Sequence, residues 1–118
     1  MRSAIVSDLK YQPIHRIPKE QLMADLESSN PQAVANALYG ATKYETDTAW
    51  VQDQCLRKLT SSELVIRWGA ATCLGDLAFL RRPLNTELVI PALERAAEDH
   101  TIADPAKFSL SMIKEFLS

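Results

Sequence analysis

The sequence predicts an all-α fold of about six helices, arranged as three antiparallel hairpins behind an irregular N-terminal arm. Apolar residues recur at helical spacing after residue 17, where no alternating strand pattern appears. The pairs Asn30–Pro31 and Asp104–Pro105 each combine a capping residue with a proline, which is typical of a helix start. With 118 residues, 47% of them hydrophobic and 24% charged, the chain has the size and composition of one globular domain.

Prolines and helix-capping residues divide residues 1–118 into an arm and three helix pairs. Residues 1–17 lack a steady helical period and contain Pro13, so they predict the arm. The predicted hairpins span 18–45, 46–83 and 84–118. Within them we expect helices over about 18–28, 31–44, 48–59, 62–81, 86–99 and 104–117. Pro91 lies within the fifth helix and predicts a bend there or a later start.

The fourth helix has small residues at positions where most helices have large side chains. Gly69 and Gly75 lie inside it, and a glycine within a helix costs about 0.5 to 1 kcal/mol relative to alanine. Two such residues indicate that neighbouring helices approach closely on several sides. We therefore expect this helix at the centre of the domain with Trp68 in the core, and we expect any binding site on its neighbours.

The segment from Ile66 to Ala78 resembles the second helix of a HEAT repeat, in which a β-branched residue and an arginine lead into alanines and a Leu-Gly pair. This resemblance implies a HEAT-like α-α superhelix that serves as a binding scaffold. A six-helix bundle without repeats is the alternative. The Asp–Arg ladder of HEAT arrays is incomplete here, because Ser61 stands six residues before Arg67 and Asp99 is followed by Pro105.

Residues 47–56 and 66–78 carry a narrower resemblance to small bacterial HEAT-like proteins, which covers most of the chain after residue 18. Some members of that group are immunity proteins of contact-dependent growth-inhibition systems. The resemblance implies a cytoplasmic, monomeric inhibitor that binds a cognate toxin, such as a nuclease, at or near its active site. The alternative is a structural or adaptor module that bridges partners in a larger assembly. HEAT-like DNA glycosylases rank third, because they are longer and need a basic concave face.

Catalytic and cofactor motifs are absent from the sequence. His15 and His100 have no metal-ligand spacing, and the three glycines form no phosphate-binding loop, so we expect no enzyme activity, cofactor or metal. A net charge of −2 disfavours nucleic acid, and no apolar run is long enough to span a membrane or to act as a signal peptide. Cys55 and Cys73 lie in helical patterns and predict buried free thiols.

Acidic and aromatic side chains concentrate at the turn before the third helix and within that helix. Aromatic anchors with flanking carboxylates are typical of a site that recognises a basic protein. Asp47 is also a natural helix cap, and Trp50 is also a candidate for packing. The predicted partner-binding residues are Tyr44, Glu45, Asp47, Trp50, Asp53 and Gln54, with Asp76 and Glu98 as further candidates.

Overall fold

The computed structural model describes residues 17–117, and within them it contains six α-helices and no β-strand. The helices are α1 (Lys19–Leu26), α2 (Pro31–Tyr44), α3 (Thr48–Lys58), α4 (Leu64–Phe79), α5 (Thr86–Ala96) and α6 (Ala103–Leu117). The predicted all-α fold is confirmed for this part of the chain. The predicted arm lies outside the described residues except for Ile17, whose partly buried side chain packs against the core.

Three helices begin at side-chain caps. Asn30 Oδ1 accepts the amide of Gln32 at 3.0 Å before α2, and Asp47 Oδ1 accepts the amide of Trp50 at 3.1 Å before α3. Asn85 caps α5 in the same way. Each oxygen satisfies an amide that has no partner within its own helix. The caps predicted at the starts of α2 and α3 are thereby confirmed.

Two helix starts differ from the predicted ones by one or two residues. Helix α4, predicted from about residue 62, begins at Leu64 with Glu63 as its N-cap, and Ser61 accepts the amide of Glu63 at 3.1 Å in a turn before the helix. Helix α6 begins at Ala103, ahead of the Asp104–Pro105 pair. The third position of a helix tolerates proline as the first does, because its amide has no intrahelical acceptor. Helix α5 runs continuously through Pro91, so the later start considered there is excluded.

Helix α4 ends two residues earlier than predicted, in a Schellman motif. The amide of Arg82 donates to the carbonyl of Leu77 at 2.9 Å, and the amide of Arg81 donates to that of Ala78 at 2.8 Å. Arg81 has φ of 57°, in the left-handed region where glycine is usual. The chain therefore turns sharply after α4 and carries the Arg82 side chain away from its own helix.

The second helices of the three pairs form a row, with α4 between α2 and α6. Helix α4 packs most extensively on α6 and next on α2, while α1, α3 and α5 each pack on their hairpin partner. One groove is lined by residues of α3, α4 and α5, and another by residues of α1 and α3. The first helices therefore lie together on one side of the row, and no helix among residues 17–117 covers its other side.

Small residues set the distance between α4 and α6. A Cβ added at Gly75 would lie 2.8 Å from the Cα of Ser109, so only glycine fits at this crossing. Ser109 Oγ is fully buried and donates to the carbonyl of Ala71 at 2.6 Å. Gly69 is less tightly enclosed, since its added Cβ would meet Tyr39 Oη at 3.4 Å. Close packing of α4 is confirmed, and it is tightest at Gly75.

Both thiols predicted to be free and buried are so. Cys55 of α3 and Cys73 of α4 are each 0% exposed and unpaired by a disulfide. Contact with Cys73 and burial together raise the pKa of the Cys55 thiol well above its ordinary value. A buried thiol is not accessible to reagents in solvent, so both residues act as core side chains.

Candidate functional site

The two acidic residues predicted to bind a partner from the α2–α3 turn, Glu45 and Asp47, are engaged within the domain. The Glu45 side chain is buried, and its Oε2 accepts the amide of Asp47 at 3.0 Å. Asp47 caps α3, and its Oδ2 lies 2.9 Å from Lys19 Nζ. The hydrogen bond from Lys19 and that from the amide of Trp50 lower the pKa of Asp47. Both carboxylates therefore hold the turn together.

Three further residues of that set lie along α3, on the side of the row where α1, α3 and α5 pack: Trp50, Asp53 and Gln54. Trp50 is partly buried against the core, with Lys19 Nζ 4.8 Å from its ring centroid. Gln54 and Trp50 line a small groove of about 180 Å³ between α1 and α3. Asp53 is exposed and pairs with Arg57 at 3.0 Å, one turn further along the helix. This region offers little free charge to a partner.

The structure separates the other three candidates from this region. Tyr44 and Asp76 line one groove on the open side of the row, while Glu98 is exposed in the turn after α5. The eight predicted residues therefore do not form one site. They fall into the α2–α3 turn with α3, the open face of the row, and the turn after α5.

The open face of the row carries exposed large apolar side chains that the sequence did not place there. Trp68 is 43% exposed and Phe79 is 58% exposed on α4, and Phe108 on α6 is 61% exposed. Trp68 and Phe79 are three helical turns apart and thus project from the same side of α4. We call this surface the α2–α4–α6 face; its residues are Tyr44, Trp68, Asp76, Phe79, Leu80, Phe108, Met112, Glu115 and Phe116.

The predicted core position of Trp68 is therefore wrong, whereas the predicted approach of neighbouring helices on several sides of α4 is confirmed. Small and aliphatic residues cover most of the circumference of α4, where α2, α3 and α6 approach. The bulky side chains occupy the stripe that no helix in the described part of the chain covers. Trp68 looked like a core residue because Leu64 and Ala71 flank it, yet Leu64 is itself exposed. Helix α4 thus contributes exposed side chains to a surface, although the sequence had suggested that only its neighbours would do so.

Two adjoining grooves cross the α2–α4–α6 face. The first, of about 390 Å³, lies between α2 and α4 and is lined by Lys43, Tyr44, Asp76, Phe79 and Leu80. The second, of about 350 Å³, lies between α4 and α6 and is lined by Asp76, Phe79, Phe108, Met112, Glu115 and Phe116. Asp76 and Phe79 belong to both grooves. Phe79 also meets Phe116 edge to face, with ring centroids 5.5 Å apart.

Asp76 is the half-buried charge at the centre of this face. Burial raises its pKa, and the opposing attraction of the exposed Lys43 does not offset this. Asp76 forms no hydrogen bond or ion pair with any residue in the range 17–117. A carboxylate that has lost part of its hydration without gaining a partner is able to receive a donor from outside the domain.

A larger groove, of about 460 Å³, lies on the opposite side of the row between α3 and α5. Arg67 lies at its base and donates to the carbonyl of Ser61 at 3.0 Å and to Thr101 Oγ1 at 3.2 Å. Its Nε lies 3.5 Å from Asp99 Oδ2. Arg67 therefore ties the second hairpin to the third. The six-residue Asp–Arg spacing of HEAT repeats did not predict this pairing, because the rest of α4 and all of α5 separate Arg67 from Asp99 in the sequence.

Comparison with protein families, curated proteins and solved structures finds no match for this chain. No metal-binding group of three His, Cys, Asp or Glu residues occurs among the described residues, which include His100 and exclude His15. Of the helices between residues 17 and 117, none has the length and apolarity to cross a bilayer. The α2–α4–α6 face is the candidate site, and its aromatic and acidic side chains are suited to contact another protein.

Proposed function

We propose that this protein is a protein-binding module whose interface is the α2–α4–α6 face. The proposal rests on the exposure of Trp68, Phe79 and Phe108 on the open side of one helix row. Aromatic residues are enriched at protein interfaces and dominate their binding energy. Several large apolar side chains exposed side by side are costly for a domain that has no partner.

The rigidity of the surface supports the same proposal. The aromatic residues project from helices that are locked together by close contacts such as that between Gly75 and Ser109. A partner that binds such a surface orders few additional groups, so less of the interaction energy is lost to conformational entropy. A preformed helical scaffold is thus well suited to tight and specific recognition.

The specific role we propose is that of an immunity protein, which neutralises a cognate bacterial toxin in the cytoplasm by binding at or near its active site. This role rests on the resemblance of residues 47–56 and 66–78 to small bacterial HEAT-like proteins. The α2–α4–α6 face adds a surface of mixed aromatic and acidic character, which complements a basic protein. The alternative, an adaptor in a larger assembly, would use the same face with a different partner.

The binding surface can be tested with the product of the adjacent gene, which the proposed immunity role expects to be the toxin. Calorimetry is expected to show binding to the unmodified protein and a loss of at least about tenfold in affinity for Phe79→Ser and Phe108→Ser. Leu88→Ser is the matched control, because Leu88 is 55% exposed and lines none of the grooves of the face. Equal weakening by Leu88→Ser, or unchanged binding in all variants, would contradict the assignment of the interface.

The immunity role is tested separately by growth. Cells that express the toxin domain are expected to survive when they also produce this protein, and to die when they produce the Phe79→Ser variant at equal abundance. An adaptor would bind a partner encoded in an assembly or metabolic operon and would give no protection. Protection independent of the face would show that the immunity role stands but that the interface lies elsewhere.

A further inference from the structure

The α4–α6 groove is lined by two carboxylates and four large apolar side chains, with no basic residue among them. Asp76 lies on one wall and Glu115 on the other, and neither forms a hydrogen bond or ion pair within residues 17–117. The other lining residues are Phe79, Phe108, Met112 and Phe116 of the same two helices. This combination differs from that of the α2–α4 groove, where Lys43 is present.

We infer that this groove receives an arginine side chain of the partner protein. The inference rests on the proposed function, because it names the chemistry that the α2–α4–α6 face recognises. A guanidinium is planar, forms paired hydrogen bonds with carboxylates and stacks on aromatic rings. The groove supplies both kinds of contact, since Asp76 and Glu115 carry acceptors and Phe108 presents a largely exposed ring.

The domain already contains one contact of this kind at the edge of the same groove. The guanidinium carbon of Arg81 lies 5.1 Å from the ring centroid of Phe116. This distance is within the range in which a cation is attracted to an aromatic face. Arg81 thus occupies the Phe116 ring, whereas the Phe108 ring has no cation near it among the described residues.

The charges around Asp76 also favour an added cation. Lys43 approaches from α2, Glu115 lies across the groove on α6, and Arg81 is engaged at the end of α4. Burial of Asp76 has more effect than the attraction of Lys43, so the carboxylate is not compensated within the domain. A partner arginine would supply that compensation in a partly desolvated groove, where ion pairs are stronger than at an open surface.

The probe for this site is a displayed library of random twelve-residue peptides, selected on the purified full chain. The selected peptides are expected to be enriched in arginine next to aromatic or aliphatic residues. The best peptide is then synthesised with citrulline in place of that arginine, which keeps the shape and removes the charge. We expect the citrulline peptide to bind about tenfold or more weakly, the loss expected for a charge-assisted contact.

The matched control for these peptides is the double variant Asp76→Asn with Glu115→Gln, which removes both charges and keeps the apolar side chains of the groove. It is expected to lose most of the preference for arginine over citrulline and to retain the smaller preference that comes from attraction of the cation to the Phe108 ring. Peptides that depend on Phe108 but show no arginine enrichment would overturn the arginine site and leave the interface intact. Peptides insensitive to Phe108→Ser, or no selected peptides at all, would count against both proposals.

A second copy of this chain is the competing occupant of the groove. Sedimentation of the peptide-free protein is expected to show a monomer at the concentrations used for binding. A dimer that Phe108→Ser dissociates would assign the groove to self-association and overturn the arginine proposal. A monomer together with a citrulline-sensitive peptide supports it.

Discussion

Arg82 Nε donates a hydrogen bond of 2.9 Å to the hydroxyl of Thr48, which joins the segment after α4 to the first residue of α3. The same guanidinium donates to the carbonyl of Thr42 at 3.3 Å and to that of Glu45. These carbonyls belong to the end of α2, where intrahelical partners are lacking. Arg82 therefore caps the C-terminal end of α2, a helix other than its own.

Replacement of Arg82 by alanine is expected to lower the free energy of unfolding by about 2 to 3 kcal/mol, because buried carbonyls lose a charged donor. Arg82→Lys keeps the charge but loses the planar fork of donors, so we expect it to recover less than half of the loss. Urea unfolding of the three proteins measures this. An Arg82→Ala protein as stable as the parent would show that solvent replaces the guanidinium without cost.

Replacement of Arg81 by glycine is expected to stabilise the protein by about 0.5 to 1 kcal/mol, because a left-handed backbone strains any residue with a Cβ. Part of this gain is offset by the loss of the contact between Arg81 and Phe116. Arg81→Ala is the control, since it loses the same contact and keeps the strain. Thermal melting should therefore rank glycine above alanine, and the reverse order would contradict the strain at this position.

The glycines differ in how much space surrounds them. Gly75→Ala is expected to cost about 1 to 3 kcal/mol by overpacking against Ser109. Gly40→Ala, where an added Cβ meets nothing within 4 Å, is expected to gain about 0.5 to 1 kcal/mol from helix propensity. Chemical denaturation compares the two variants directly. Equal effects at both positions would contradict the close approach of α4 and α6.

The acidic residues of the α2–α3 turn are expected to affect stability rather than binding. Asp47→Ala with Glu45→Ala removes a helix cap and the hydrogen bonds of the turn, so the melting temperature should fall while affinity for the partner stays unchanged. The hydrogen bond from Lys19 lowers the pKa of Asp47. The stabilisation that its charge provides is therefore full above its ordinary pKa of 3.8 and is lost as the pH falls through the lower folded pKa.

Asp47→Asn isolates that charge, because asparagine retains the capping oxygen. Its melting temperature should lie below that of the parent near neutral pH and converge with it in strong acid. A gap that persists at the lowest pH would show that the loss is structural. Weakened partner binding without loss of stability would return the turn to the list of contact surfaces.

Asp76 is expected to show the opposite pH dependence. Burial raises its pKa above the ordinary 3.8, so the folded protein holds this proton more tightly than the unfolded chain does. The charged form therefore costs stability near neutral pH, and the cost disappears as the pH falls below 3.8. Asp76→Asn should raise the melting temperature at neutral pH while it weakens partner binding, and the stability gain should vanish in acid.

A melting temperature that falls on Asp76→Asn substitution would show that the carboxylate supports the fold. Asp53→Asn offers a comparison on the other side of the molecule, since Asp53 is exposed and paired only with Arg57. We expect that variant to change neither binding nor stability appreciably, because exposed ion pairs contribute about 0 to 1 kcal/mol.

The sequence by itself determined the helices and their order. Capping residues such as Asn30 and Asp47 act on amides two or three positions away, and helical apolar spacing is also a local signal. The small residues within α4 are a further signal that can be read from the sequence, and they predicted a central, closely packed helix. The sequence also placed Tyr44 and Asp76 among the candidates, without showing that they lie on a common face.

Only the tertiary structure decided which side of α4 remains open and which charges remain free. Trp68 and Phe79 are exposed because none of the six described helices covers their stripe, and Asp47 is engaged because Lys19, 28 residues earlier, reaches it. Arg67 meets Asp99 and Arg82 meets Thr48 across similar distances along the chain. Such contacts depend on how whole helices pack together. Local spacing therefore predicts the helices, whereas the site depends on their packing.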